Sequence, residues 1–191
     1  MRPRRWAARA AIVALTLFAR AAAADDDHSI STFETKPTAI YAIVGLGTPV
    51  GALGAELEQT LLPNWSLSAG VGWGLAGAPQ AAGMLRWMGG GLRSKVTVGL
   101  GVSGGQYKWT EFPCIDCKNG PVTKSGKVAW GNLEVGGEHR FWNGLSLRYF
   151  GGYGHIISGT LTCDGYTTCG PYYNDEGYNI LYTGIGVGRA F

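Results

Sequence analysis

Residues 65–76, WSLSAGVGWGLA, change character at every step. Trp65, Leu67, Ala69, Val71, Trp73 and Leu75 are apolar, while Ser66, Ser68, Gly70, Gly72, Gly74 and Ala76 between them are small. The stretch KVTVGLGVSG repeats the pattern, with Val96, Val98, Leu100 and Val102 set against Thr97, Gly99, Gly101 and Ser103. Successive strand side chains point to opposite faces, so a period of two builds a strand with one apolar side and one small or polar side. From Pro37 onward no helical spacing competes with it. The pattern predicts eight strands, at roughly 38–47, 52–61, 65–76, 81–89, 95–107, 127–141, 145–157 and 178–191. Most are near the ~9–11 residues of a tilted membrane-spanning strand.

The charges within these segments decide which face points where. Glu56, Glu58, Arg86, Glu134, Glu138, Arg140 and Arg148 all fall on the small, polar side. In a soluble sandwich that side would meet water, and its glycines would serve no purpose. A narrow membrane barrel turns its apolar side to lipid and encloses the other. Glycine, 32 of 191 residues, then makes room for long enclosed side chains. Four acids and three bases can pair as a lumen network, since a buried charge left alone is costly. The rival is a soluble secreted β-barrel that binds a small apolar ligand, with the apolar stripe inside.

The connections alternate in character. Leu62-Pro63-Asn64, Gly90 to Ser94 and Trp142-Asn143-Gly144 are tight turns on one side. On the other side two connections are short and two are long, 108–126 and 158–177. Short turns opposite long loops are a membrane-barrel pattern. Aromatics gather at both ends: Trp65, Phe141, Trp142 and Phe191 on the turn side, Tyr107, Trp109 and Trp130 on the loop side.

Residues 1–24 read as a secretory signal peptide, with the basic MRPRRWAAR, an apolar run of about ten residues and a small-residue cleavage region. Residues 25–36 read as a flexible polar lead-in and 37–191 as the barrel domain. Five of the 16 basic residues lie before Ala24 (Arg2, Arg4, Arg5, Arg9, Arg20), which leaves 11 against 13 acidic ones. The resulting mature charge of −2 removes any electrostatic case for nucleic acid. All four cysteines, Cys114, Cys117, Cys163 and Cys169, fall in the long loops and read as disulfides in an exported chain. Pairing within each loop is favoured over pairing across loops, and their spacing is a poor match to structural zinc. Tyr166, Tyr172 and Tyr173 mark the second loop as a candidate surface contact.

The strand pattern, the turn asymmetry and the ending LYTGIGVGRAF resemble the small eight-stranded outer-membrane barrels of Gram-negative bacteria, the OmpA/OmpX-like superfamily. The resemblance implies an all-β, antiparallel up-and-down transmembrane barrel in the outer membrane, amid lipid and lipopolysaccharide. It also implies an assembly signal in the last strand, read by the barrel-assembly machinery. Leu181, Ile185, Val187 and Phe191 match that signal, whereas Arg189 stands where the family more often has an apolar residue.

The resemblance leaves function open, because the superfamily hosts several roles. A structural or surface-interaction role through the long loops is the leading expectation, with a lipid A-modifying enzyme as the alternative. His155 and Ser158 are the residues that alternative would use, but residues three apart on a regular strand face opposite ways. No cofactor motif and no metal constellation is apparent, and eight strands leave an interior that side chains fill.

Overall fold

A computed structural model describes residues 30–74, 77–111, 122–164 and 179–191. Eight strands form a closed, all-antiparallel, up-and-down barrel: β1 (Thr38–Thr48), β2 (Gly51–Leu62), β3 (Trp65–Trp73), β4 (Pro79–Gly90), β5 (Ser94–Glu111), β6 (Val122–Arg140), β7 (Leu145–Asp164) and β8 (Asn179–Ala190). Each strand pairs with its sequence neighbour, and β8 closes on β1 from Ala39↔Ala190 to Leu46↔Thr183. Closure removes the free edges over the shared height of the barrel, while β5 beyond Gly105 and β7 beyond His155 pair with β6 alone.

The alternation resolves into two faces. The outer face carries Ile40, Leu57, Leu67, Val98, Leu100 (66% exposed), Leu133, Ile185 and Val187. Inside lie Tyr41, Ile43, Ser66, Ser68, Met84, Thr97, Ser103, Asn132 and every charged residue of the predicted network. This is the inverse of a soluble barrel that binds a small apolar ligand, in which the apolar stripe would face inward.

Some glycines keep the enclosed face passable. A Cβ on Gly99 would stand 3.1 Å from Arg86 Cγ and 3.5 Å from Glu134 Cβ. The β1–β2 connection uses the same space differently. Val50, 2% exposed, folds inward over Gly54, Gly70 and Gly72, and would clash with a Cβ on Gly54 or Gly70. Gly51, which re-enters β2, has φ 97°, a conformation that favours glycine.

Three expectations need correction. First, β5, β6 and β7 run to 18, 19 and 20 residues, so the long loops are shorter than 108–126 and 158–177. Pairing continues through Lys108↔Ser125 to Glu111↔Val122, and as far as Thr123↔Asp164 on β6–β7. These extensions are rich in Thr, Lys and Ser, so they lack the apolar stripe that reveals a strand. Cys163 accordingly stands in β7, opposite Lys124, rather than in a loop. Cys114, Cys117, Cys169, Tyr166, Tyr172 and Tyr173 lie outside the described residues, as does the signal segment 1–24. Second, Trp130 points inward and is 6% exposed, because it shares the parity of Asn132 and Glu134, so it is no part of an outer girdle.

Third, the lead-in is ordered from Ser31. A single helical turn, α1 (Thr32–Thr35), is capped by Ser31, whose side chain accepts from the Phe33 N–H at 3.2 Å. Thr32 N, Thr32 Oγ1 and Ser31 Oγ all donate to the Leu92 carbonyl at 3.0 Å, which ties the turn to the β4–β5 connection. Phe33, 0% exposed, enters the barrel end, with the Arg140 guanidinium 4.3 Å and Lys95 Nζ 5.7 Å from its ring centre.

Candidate functional site

The candidate site is the lumen itself, where all seven charged residues converge. Arg86, from β4, donates through Nε to Glu134 Oε1 at 2.7 Å and through Nη1 to Glu56 Oε1 at 2.8 Å and Ser68 Oγ at 2.5 Å. Arg140, from β6, bonds Glu58 Oε1 through Nη2 at 2.7 Å and Glu138 Oε1 through Nε at 2.6 Å. Arg148, from β7, reaches Glu56 Oε1 at 2.8 Å and Glu58 Oε2 at 3.1 Å. Glu58, fully buried, is the hub: Arg86 also lies 3.4 Å from its Oε2, so all three guanidinium groups face it.

The strand register brings these side chains together. Glu138 and Arg148 are direct cross-strand partners, as are Ser66 and Arg86. Glu56 and Glu58 project from β2 on the same side, two residues apart. No member is exposed by more than 5%, so water screens the pairs poorly. Such charges are tolerated inside because partners replace the lost hydration.

The network recruits residues that sequence reasoning missed. Tyr41 donates to Glu138 Oε1 at 2.6 Å and shares a 2.6 Å bond with Ser146 Oγ. Arg140 Nη1 donates to the Lys36 carbonyl at 2.7 Å, which links the plug α1 to the charge network. Lys95 has the inward parity of Thr97 and stands opposite Glu138 in the β5–β6 register. Its ammonium lies over the Phe33 ring, at the plug end of the lumen. The signal for Lys95 is present in its parity, but the residue opens its strand and reads equally well as turn.

Arg148 makes up its remaining contacts with rings. Its guanidinium carbon lies 4.8 Å from the Tyr41 centroid and 5.3 Å from that of Phe150, within cation–π range. Phe150 in turn meets Tyr182 edge-on at 6.3 Å. The lumen is therefore layered. Phe33 closes the turn-side end, the ion network fills the middle, and Phe150, Tyr182 and Val50 pack above it.

The histidines are placed apart. His139 faces outward near the turns, with Nδ1 2.7 Å from Ser94 Oγ and its ring edge-on to Phe141 at 4.3 Å. His155 lies on the exposed face of β7, with Nδ1 2.9 Å from Asn179 Oδ1. The β6–β7 register shifts between Ala129 and Trp130, whose partners are Ser158 and Ile156. The extra residue, Ile157, brings His155 and Ser158 to the same outer face, which regular alternation would forbid.

An apolar exterior around a salt-bridged, plugged interior defines a small eight-stranded barrel of the outer-membrane type. A solved structure shares the fold. The chain is similar to a major outer membrane protein from Thermus thermophilus, at 15% identity and a TM-score of 0.50, over 81% of this chain and 99% of that one. Acinetobacter baumannii CarO2 aligns at 15% identity and a TM-score of 0.41, over 82% of this chain and 99% of that one. No protein-family model and no curated protein matches the chain.

Proposed function

We propose that the chain is an outer-membrane β-barrel of structural or surface-interaction type, exported through residues 1–24. It sits among outer-membrane lipid and lipopolysaccharide and is folded by the barrel-assembly machinery, with Phe191 as the recognised residue. One observation carries the reading: a stripe of apolar residues faces outward around the barrel, while seven ionisable side chains lie enclosed. In water that exterior would be an apolar surface far beyond what a soluble monomer shows. The filled lumen favours a scaffold over a pore. Strands β5, β6 and β7 run beyond the length of the other strands. The long loops, with Tyr166, Tyr172 and Tyr173, are the proposed contact surface, stapled by Cys114, Cys117, Cys163 and Cys169.

Cell fractionation tests the reading. The mature protein should co-fractionate with the outer membrane, and unboiled samples should migrate differently from boiled ones. A protein free in the periplasm without detergent would sink the proposal.

A second reading, an acyl hydrolase acting on outer-leaflet lipid A, draws on His155, its partner Asn179 and the bulge that brings Ser158 alongside. A hydrolase needs nucleophile, base and orienting group in reach of one another. Lipid A mass spectra should then change when the gene is expressed and revert with His155→Ala. Identical spectra with and without the gene would discard this reading.

A further inference from the structure

Arg189 departs from the pattern of a closing strand, and the structure gives it a setting. It stands on the outward side of β8, in line with Ile185 and Val187, and pairs in register with Ile40 and Leu145. Those neighbours are outer-face residues, 49% and 41% exposed, so Arg189 marks where the apolar band meets the turn-side end. Lys36 lies beside it. Lys36 Nζ is 3.5 Å and Arg189 Cγ 3.8 Å from the point where a Cβ on Gly144 would stand. Gly144 has φ 89°, a conformation that favours glycine, and the Ala190 carbonyl oxygen lies 2.7 Å from the same point, so Lys36 and Arg189 flank a close approach of the turn to β8.

Two cationic side chains that flank one turn repel each other, and an anion between them would relieve that repulsion. Among the described residues, neither side chain has a carboxylate within ion-pair distance. Glu34, the acid of α1, acts on Lys95 instead. A further basic residue lies at this turn, since Arg93 stacks on Trp142 at 4.7 Å. Trp142 and Phe141 belong to the same turn as Gly144, and aromatic rings favour the headgroup level of a bilayer.

We propose that Lys36 and Arg189, which flank the turn at Gly144, form a binding site for the phosphate of an anionic glycerophospholipid in the periplasmic leaflet. This rests on the outer-membrane reading. Arg supplies a planar fork that matches phosphate oxygens, and Lys a movable point charge. A net anionic headgroup is preferred, because a zwitterionic one carries its own ammonium.

The test uses the mature barrel in nanodiscs of phosphatidylethanolamine with a minority of phosphatidylglycerol, released for native mass spectrometry. Wild type should retain phosphatidylglycerol. The double variant Lys36→Gln/Arg189→Gln should retain roughly tenfold less, the loss of about one charge-assisted contact. The swap Lys36→Arg/Arg189→Lys should keep it, and excess inorganic phosphate should not displace it. Both side chains reach the surface, and the Lys36 group that binds Arg140 is its backbone carbonyl, so the variants keep the fold's contacts. Equal retention in wild type and double variant overturns the site, as does displacement by free phosphate. A wild-type barrel that does not enter the bilayer overturns the outer-membrane reading instead.

Discussion

Glu58 shows most clearly how single residues hold this barrel together. Three arginines from three strands face one fully buried carboxylate. Removing it leaves three carboxylates for three buried guanidinium groups, with little water to take its place. Breaking a buried pair by deleting one partner costs about 3–5 kcal/mol, mostly the penalty of the charge left behind. Glu58→Ala should lower stability by about that amount in urea unfolding from phospholipid vesicles, and Glu58→Gln, which keeps an acceptor, by less. An unchanged unfolding midpoint for Glu58→Ala would mean that the network contributes little. Tyr41 belongs in the same account, since its hydroxyl ties Glu138 to Ser146. It is hidden in the sequence because β1 is apolar on both faces. Ala39, Tyr41 and Ile43 point in while Ile40 and Val44 point out, so alternation there carries no sign.

Among the elements, α1 is the least legible and the most informative. Four residues cannot hold a helix by themselves, because nucleation costs more than one turn returns. Tertiary contacts decide it: the Leu92 carbonyl, the Arg140 guanidinium and a pocket for Phe33. None of these partners is near in sequence, so a polar lead-in with one aromatic reads as a tail. The polar ends of β5–β7 escape a sequence reading for a related reason, since nothing on them is apolar enough to mark a period. By contrast β3 and the first half of β5 are legible residue by residue, because apolar and small residues alternate without exception. If α1 is a plug, Phe33→Ala should cost about 3 kcal/mol by loss of buried ring and cation–π contact. The variant should still show heat-modifiable migration, because the strand ladder is untouched. Stability equal to wild type would reduce α1 to an ornament of the barrel end.

Across the whole molecule, closure and polarity determine the account. The β8–β1 seam ends with Phe191 N donating to the Thr38 carbonyl at 2.8 Å and Thr38 N donating to the Phe191 carbonyl at 3.2 Å. Deleting Phe191 should therefore reduce the folded, membrane-inserted yield far more than deleting residues 25–30, measured by the unboiled band in outer-membrane fractions. Comparable yields would remove the assembly role. The overall orientation of the two faces is legible because seven charges of both signs share one parity with the glycines, which suits an enclosed, paired interior and serves no purpose on a water-facing side. The most direct test of that orientation is a spin label at Leu100→Cys, with the native cysteines replaced by serine and the barrel folded in vesicles. The label should relax strongly with oxygen, which concentrates in hydrocarbon, and weakly with a water-soluble nickel chelate. Strong relaxation by the chelate and weak relaxation by oxygen would contradict a lipid-facing exterior, and with it the outer-membrane barrel.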